Sequence, residues 1–170
     1  MIKRTIQSFM AAFMATVVLA IAMPLSAQAA APVDDTAALA GVEEAKGVFQ
    51  IDFTEAEKTA FYLEIIRGTH ANFVRQGLEP DLVIVFIGPT VQFLTTEAGE
   101  DVADPATLMR IESEVARLAE LGVRLEVCAV ATEVFGVDND TLFDGLDLTG
   151  DGFVAMIGWQ AQGYHPVTMF

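Results

Sequence analysis

Apolar and polar positions alternate in blocks along this chain, and the blocks change period in a regular order. Leu82-Val83-Ile84-Val85-Phe86-Ile87 is an unbroken apolar run, the pattern of a central strand buried on both faces. Gly88-Pro89 stops it. Upstream, Val48–Phe53 suits a short strand, and Thr54-Glu55-Ala56-Glu57 has the spacing of a capping box. A helix is predicted to follow, because Phe61, Tyr62, Ile65, Ile66, Thr69 and Phe73 recur at helical spacing before Gly77 can terminate it in a left-handed turn. Downstream, Asp104 can cap a second helix with Pro105 in its first position. Leu108, Ile111, Val115 and Leu118 share one face of it, and Gly122 marks the exit.

Val123–Val130 reads as the next strand and Leu146–Leu148 as another short one. Asp151 then caps a helix through Phe153, Met156, Ile157 and Gln160 that ends at Gly163. Tyr164–Val167 closes the chain as a strand, and Pro166 assigns it to an edge or a strand end, because proline cannot donate to a ladder. Strand and helix alternate throughout, so the fold class is α/β: a three-layer sandwich around a mainly parallel sheet of about five strands, with flavodoxin-like layering. Right-handed crossovers put helices on both faces. Ligands in such sheets bind beyond the carboxyl ends of the strands, where the order reverses. Gly88-Pro89 and the segment from Cys128 to Thr132 fall on that rim.

The amino terminus follows another pattern. Lys3 and Arg4 precede an uncharged apolar run from Phe9 to Met23, then Pro24 and small residues ending Ala27-Gln28-Ala29-Ala30. This is the layout of a cleavable export signal. The run falls short of the about 20 residues that span a bilayer. Residues 1–29 are therefore expected to be removed near Ala29-Ala30, leaving a periplasmic protein with no membrane attachment. Residues 30–47, alanine-rich and acidic, read as a flexible lead-in to a domain over 48–170. The net charge of −15 drops by a further two when Lys3 and Arg4 leave. So acidic a surface repels phosphate backbones and anionic lipid, which argues against nucleic acid and membrane-surface partners.

Export makes the cysteine count informative. Oxidising compartments favour disulfides, yet the chain has one cysteine, Cys128, which can close no bridge within the chain. It is either an apolar filler of the strand or a reactive thiol. A dithiol oxidoreductase is excluded, because there is no second cysteine. The sequence places no activating group beside the thiol. Glu126 and Glu133 are its acidic neighbours, and Arg124 is the one nearby cation. A cation or a helix N-terminus would have to come from elsewhere. His70 and His165 are candidates for the first but read better as surface or capping residues.

Gly88 and Pro89 can form a tight turn that brings backbone N–H groups to a ligand, although any turn after a strand uses such residues. Thr132 and Asn139 follow Cys128 and can bond a sulfur or an anion, or serve turns and caps. No metal is expected, because cysteine and histidine form no cluster, and no cofactor is implied, because there is no Gly-rich phosphate loop. Asp147-x-Thr149-x-Asp151-Gly152 imitates the start of a calcium loop, but its twelfth position is Gly158 where the bidentate glutamate belongs. Asn139-Asp140-Thr141 matches the glycosylation acceptor pattern and matters only in a compartment that glycosylates.

Three stretches, PDLVIVFIGPTVQFL at 80–94, GVRLEVCAVATEVFGVDNDTL at 122–142 and GWQAQGYHPV at 158–167, together resemble the DsrE/DsrF-like proteins, in an exported form. The resemblance covers residues 48–168. It implies a compact α/β fold, assembly into a symmetric homo-oligomer, and a cysteine at the position of Cys128 that carries sulfur as a persulfide. On that basis Cys128 binds or relays sulfane sulfur between a donor and an acceptor, each a protein or a small sulfur species. Two other readings stay open. One is a non-catalytic oligomeric binding module with Cys128 packed in its core, and the other is a single-thiol redox sensor. Phe135, Trp159 and Phe170, near loops or the terminus, are candidates for contact between copies.

Overall fold

The computed structural model describes residues 33–99 and 101–169; the expected export signal and Phe170 lie outside them. Five strands form one sheet: β1 (Ala45–Ile51), β2 (Pro80–Phe86), β3 (Arg124–Cys128), β4 (Asp147–Thr149) and β5 (His165–Val167), in the order β4-β3-β2-β1-β5. All four pairings are parallel. Between the strands lie α1 (Ala56–Arg75), α2 (Pro105–Glu120), α3 (Ala129–Phe135) and α4 (Gly152–Ala161), with 3-10 turns at Gly88–Phe93 and Asn139–Thr141. The α/β fold class and the parallel sheet predicted from the sequence are those observed.

From β1 to β4 the chain steps one strand at a time in one direction. Right-handed crossovers then stack α1 and α2 on a common face. Arg110 ties the two helices by pairing with Glu57 and Glu64, and Arg67 reaches Glu114 at 2.6 Å. The return from β4 to β5 must cross the whole sheet, so α4 is the helix that covers the other face among the described residues. Register confirms it. Leu82 and Phe49 face Ile66 of α1, while Glu126, one pleat over, accepts the Trp159 indole N–H of α4 at 3.0 Å. Val83, Ile84, Val85 and Phe86 are fully buried, as a central strand covered on both faces requires. The edge strands β4 and β5 have three residues each. Pro166 sits on an edge, where its missing N–H costs no ladder bond.

Several boundaries move. β1 opens at Ala45, three residues before the expected start. In the lead-in, the Asp35 N–H donates to Gln76 Oε1 and the Gln76 amide returns a bond to Asp35 Oδ2. The Thr54–Glu57 capping box does not form. Glu55 is the N-cap of α1 and makes no side-chain bond there, while Glu57 reaches across to Thr107 and Arg110. β3 ends at Cys128, two residues short of the predicted strand, because β2 stops opposite Val127 and β4 opposite Cys128. With no neighbour to bond, Ala129 turns directly into α3. The Asp104 and Asp151 caps form as read. Asp104 Oδ1 accepts from the Ala106 and Thr107 N–H groups, and Asp151 Oδ1 from those of Phe153 and Val154. No described helix is long and apolar enough to cross a membrane.

Candidate functional site

The connection after β3 continues outward to β4, and the one after β4 turns back over the opposite face. The carboxyl ends of β3 and β4 are therefore the switch point of the sheet, where an open α/β sheet leaves a crevice. Cys128 and Thr149 are the last registered pair there. A hollow of about 240 Å³ opens at this rim. Its walls come from four places: Asp52 beyond β1, Ile87 and Gly88 beyond β2, Cys128 with the first turns of α3, and Asp151 with Phe153 at the start of α4.

Cys128 is only 6% exposed, so the rim position does not leave the thiol open to bulk solvent as its place in the topology suggests. What surface it has belongs to this hollow. Its Sγ accepts the backbone N–H of Gly152 at 3.1 Å. Gly152 is the first residue of α4, so the sulfur rests on a helix N-terminus. Cys128 is also the N-cap of α3, and two helix starts thus meet at one residue.

The approach of α4 depends on the absence of a side chain at position 152. A Cβ there would lie 2.4 Å from Ile87 Cγ2 and 3.1 Å from Cys128 Cβ. Gly88 plays a similar part at the facing wall. Its φ of +58° suits glycine, and a Cβ would fall 2.0 Å from Asp52 Oδ1, so the Asp52 carboxylate lies directly over its Cα.

Of the candidate binding residues, Gly88 lines the hollow with Cys128, while Pro89, Thr132 and Asn139 are not among its walls. Pro89 is the second residue of the 3-10 turn after β2. Thr132 is buried, and its hydroxyl donates to the Ala129 carbonyl within α3. Asn139 starts the 3-10 turn capped by Asp138. Arg124 stands at the opposite end of β3, about 13 Å along the strand at its usual rise. There it donates to Asp81 at 2.5 Å and to Tyr164, over the Trp159 ring. Burial first, and then donation to Asp81 at 2.6 Å, hold the Tyr164 hydroxyl above its ordinary range. His70 lines a groove between α1 and α2 with Arg67 and Arg117, and His165 opens β5 at the amino end of the sheet. Neither reaches the sulfur's hollow.

Sequence reasoning passed over Asp52, Ile87, Gly152 and Phe153 as parts of this site. The Asp151 cap, legible in the sequence, was the available signal, since it fixes where α4 begins. No group of three or more candidate metal ligands exists among the described residues.

The model of the DsrE/DsrF-like family matches residues 46–169. No curated protein matches the chain. Among solved structures, the chain is similar to the protein of unknown function MTH1491 from Methanobacterium thermoautotrophicum, at 19% identity and a TM-score of 0.58 over 73% of this chain and 98% of that one. It is also similar to the ychN protein from E. coli, at 16% identity and a TM-score of 0.54 over 74% and 99%. At these identities the structures speak for the fold alone.

Proposed function

The chain belongs to the DsrE/DsrF-like family, which is associated with sulfur relay, and from that premise we propose that it is an exported sulfur carrier that holds sulfane sulfur as a persulfide on Cys128. The observation that carries the reading is the bond from the Gly152 N–H to the Cys128 sulfur, at a helix N-terminus and on the wall of a hollow. Transfer of sulfane sulfur needs a thiolate that can attack a sulfur donor and a space in which the outer sulfur of Cys-S-SH can rest. The Gly152 N–H fixes the sulfur against the wall of the hollow, and the hollow offers the space. The leader pattern at residues 1–30 supports export. Val130, Val134 and Phe153, each at least half exposed, line the hollow, and Val154 and Ile157 are exposed on the same helix as Phe153; these side chains suit contact with a further copy of the chain or with a protein that delivers or collects the sulfur.

The burial of Cys128 favours a second reading, in which the thiol is core packing and the domain is a binding module. Thiol alkylation separates the two. As a carrier, the folded protein is alkylated at Cys128 within roughly a hundredfold of the rate after denaturation, since entry needs only side-chain motion at the mouth of the hollow. A folded protein that reacts only as fast as it globally unfolds makes Cys128 a core residue.

A further inference from the structure

Resting on the reading of Cys128 as a sulfur carrier, we propose that the hollow takes its sulfur from uncharged, apolar sulfane donors, the chemistry of an organic polysulfane, and discriminates against anionic donors such as inorganic polysulfide. The walls carry the argument. Ile87, Val130, Val134, Phe135 and Phe153 line most of the hollow, and no lysine, arginine or histidine does. Its charged groups are two carboxylates, Asp52 and Asp151, and neither pairs with a cation among the described residues.

A helix N-terminus ordinarily welcomes an anion, but at α4 the donors are already engaged. The Phe153 and Val154 N–H groups go to Asp151, and that of Gly152 to the sulfur itself. The start of α4 contributes about +0.5 of partial charge, against two full negative charges on the carboxylates. The balance at the mouth is negative, and the net charge of −15 on the whole chain has the same sign. An incoming anion is repelled, while an apolar donor exchanges water for aliphatic and aromatic contacts.

The transfer balances without an outside oxidant. The Cys128 thiolate attacks the central sulfur of R–S–S–S–R, an S–S bond to Cys128 forms, and one S–S bond of the donor breaks, giving Cys128–S–S–S–R and RS−. The sulfur anion that leaves takes a proton from water. The thiol R–S–H so formed attacks the terminal sulfur of Cys128–S–S–S–R, R–S–S–R leaves, and Cys128 keeps the transferred sulfur as Cys–S–SH.

The experiment compares the rates at which dimethyl trisulfide and inorganic tetrasulfide modify Cys128 in the purified protein, each divided by its rate with N-acetylcysteine amide. The expected result is a relative rate at least about tenfold higher for the trisulfide, the order set by two carboxylates a few ångströms away in a partly wet site. Neutralising them together, Asp52→Asn with Asp151→Asn, narrows the gap several-fold by speeding the anionic donor more than the neutral one. Asparagine still caps a helix, so α4 stays in place. Comparable relative rates for both donors, or a gap indifferent to the double substitution, overturn the donor preference and leave the carrier reading intact. A Cys128 that neither donor modifies, while the small thiol reacts with both, overturns the carrier reading and the preference with it.

Discussion

At the scale of single residues, the site depends on glycines as much as on the cysteine. Gly152→Ala would drive a Cβ into Ile87 and against Cys128, and the least disruptive relief is for the first turn of α4 to back away from the sheet. The N–H then leaves the sulfur. We expect alkylation of Cys128 in the folded variant to slow by about tenfold, as the loss of one charge-assisted hydrogen bond implies, with a stability loss of about 1–3 kcal/mol from overpacking. A variant that reacts as fast as the parent while unfolding at lower denaturant would show that the contact serves packing alone. The cysteine was legible in the sequence because it stands alone in the chain. Its donor was not, because Gly152 lies 24 residues downstream and reaches the sulfur only after β4 has registered beside β3. Asp52 was hidden for the same reason, as its place over Gly88 follows from the pairing of β1 with β2.

Among the elements, those bounded by local chemistry were readable and those bounded by their neighbours were not. Asp104-Pro105 and Asp151-Gly152 announce helix starts, and Gly77, Gly122 and Gly163, all at positive φ, end the preceding helices as read. The carboxyl end of β3 depends on where β2 and β4 stop. No local signal carries that, so Val130 reads as strand although it stands on the outer face of α3. Glu57 looks like half of a capping box yet joins α1 to α2. That contact has a consequence in acid. The Thr107 hydroxyl, and after it Arg110, lower the Glu57 carboxyl below its ordinary range; Thr107, through hydroxyl and backbone, does the same for Asp104. One hydroxyl hydrogen cannot serve both carboxylates at once, so they share its effect. Both are lowered on folding, so their contribution is present above the carboxylate range of the unfolded chain and is lost as the pH falls through their folded values. Urea midpoints measured from neutral pH down into the carboxylate range should fall for the parent, and fall less for Glu57→Gln. Identical slopes would contradict the coupling of α1 to α2 through these groups.

For the molecule as a whole, the order of strands and helices was enough to give the layers, because right-handed crossovers leave few alternatives. The strand order was not, and it decides where the candidate site lies. With β4 and β5 on opposite edges, one connection among the described elements reverses, and the reversal falls beside the one cysteine. A buried thiol, a donated N–H and a hollow thereby coincide at the end of β3. The central claim is that Cys128 carries sulfur, and intact mass tests it most directly. The purified protein is held anaerobically with excess inorganic polysulfide, long enough to offset slow entry of an anion, beside a Cys128→Ser control. The account predicts an adduct of one sulfur, about 32 Da, removed by a thiol reductant and absent from the control. An unmodified folded protein, or an adduct that persists in Cys128→Ser, would contradict it.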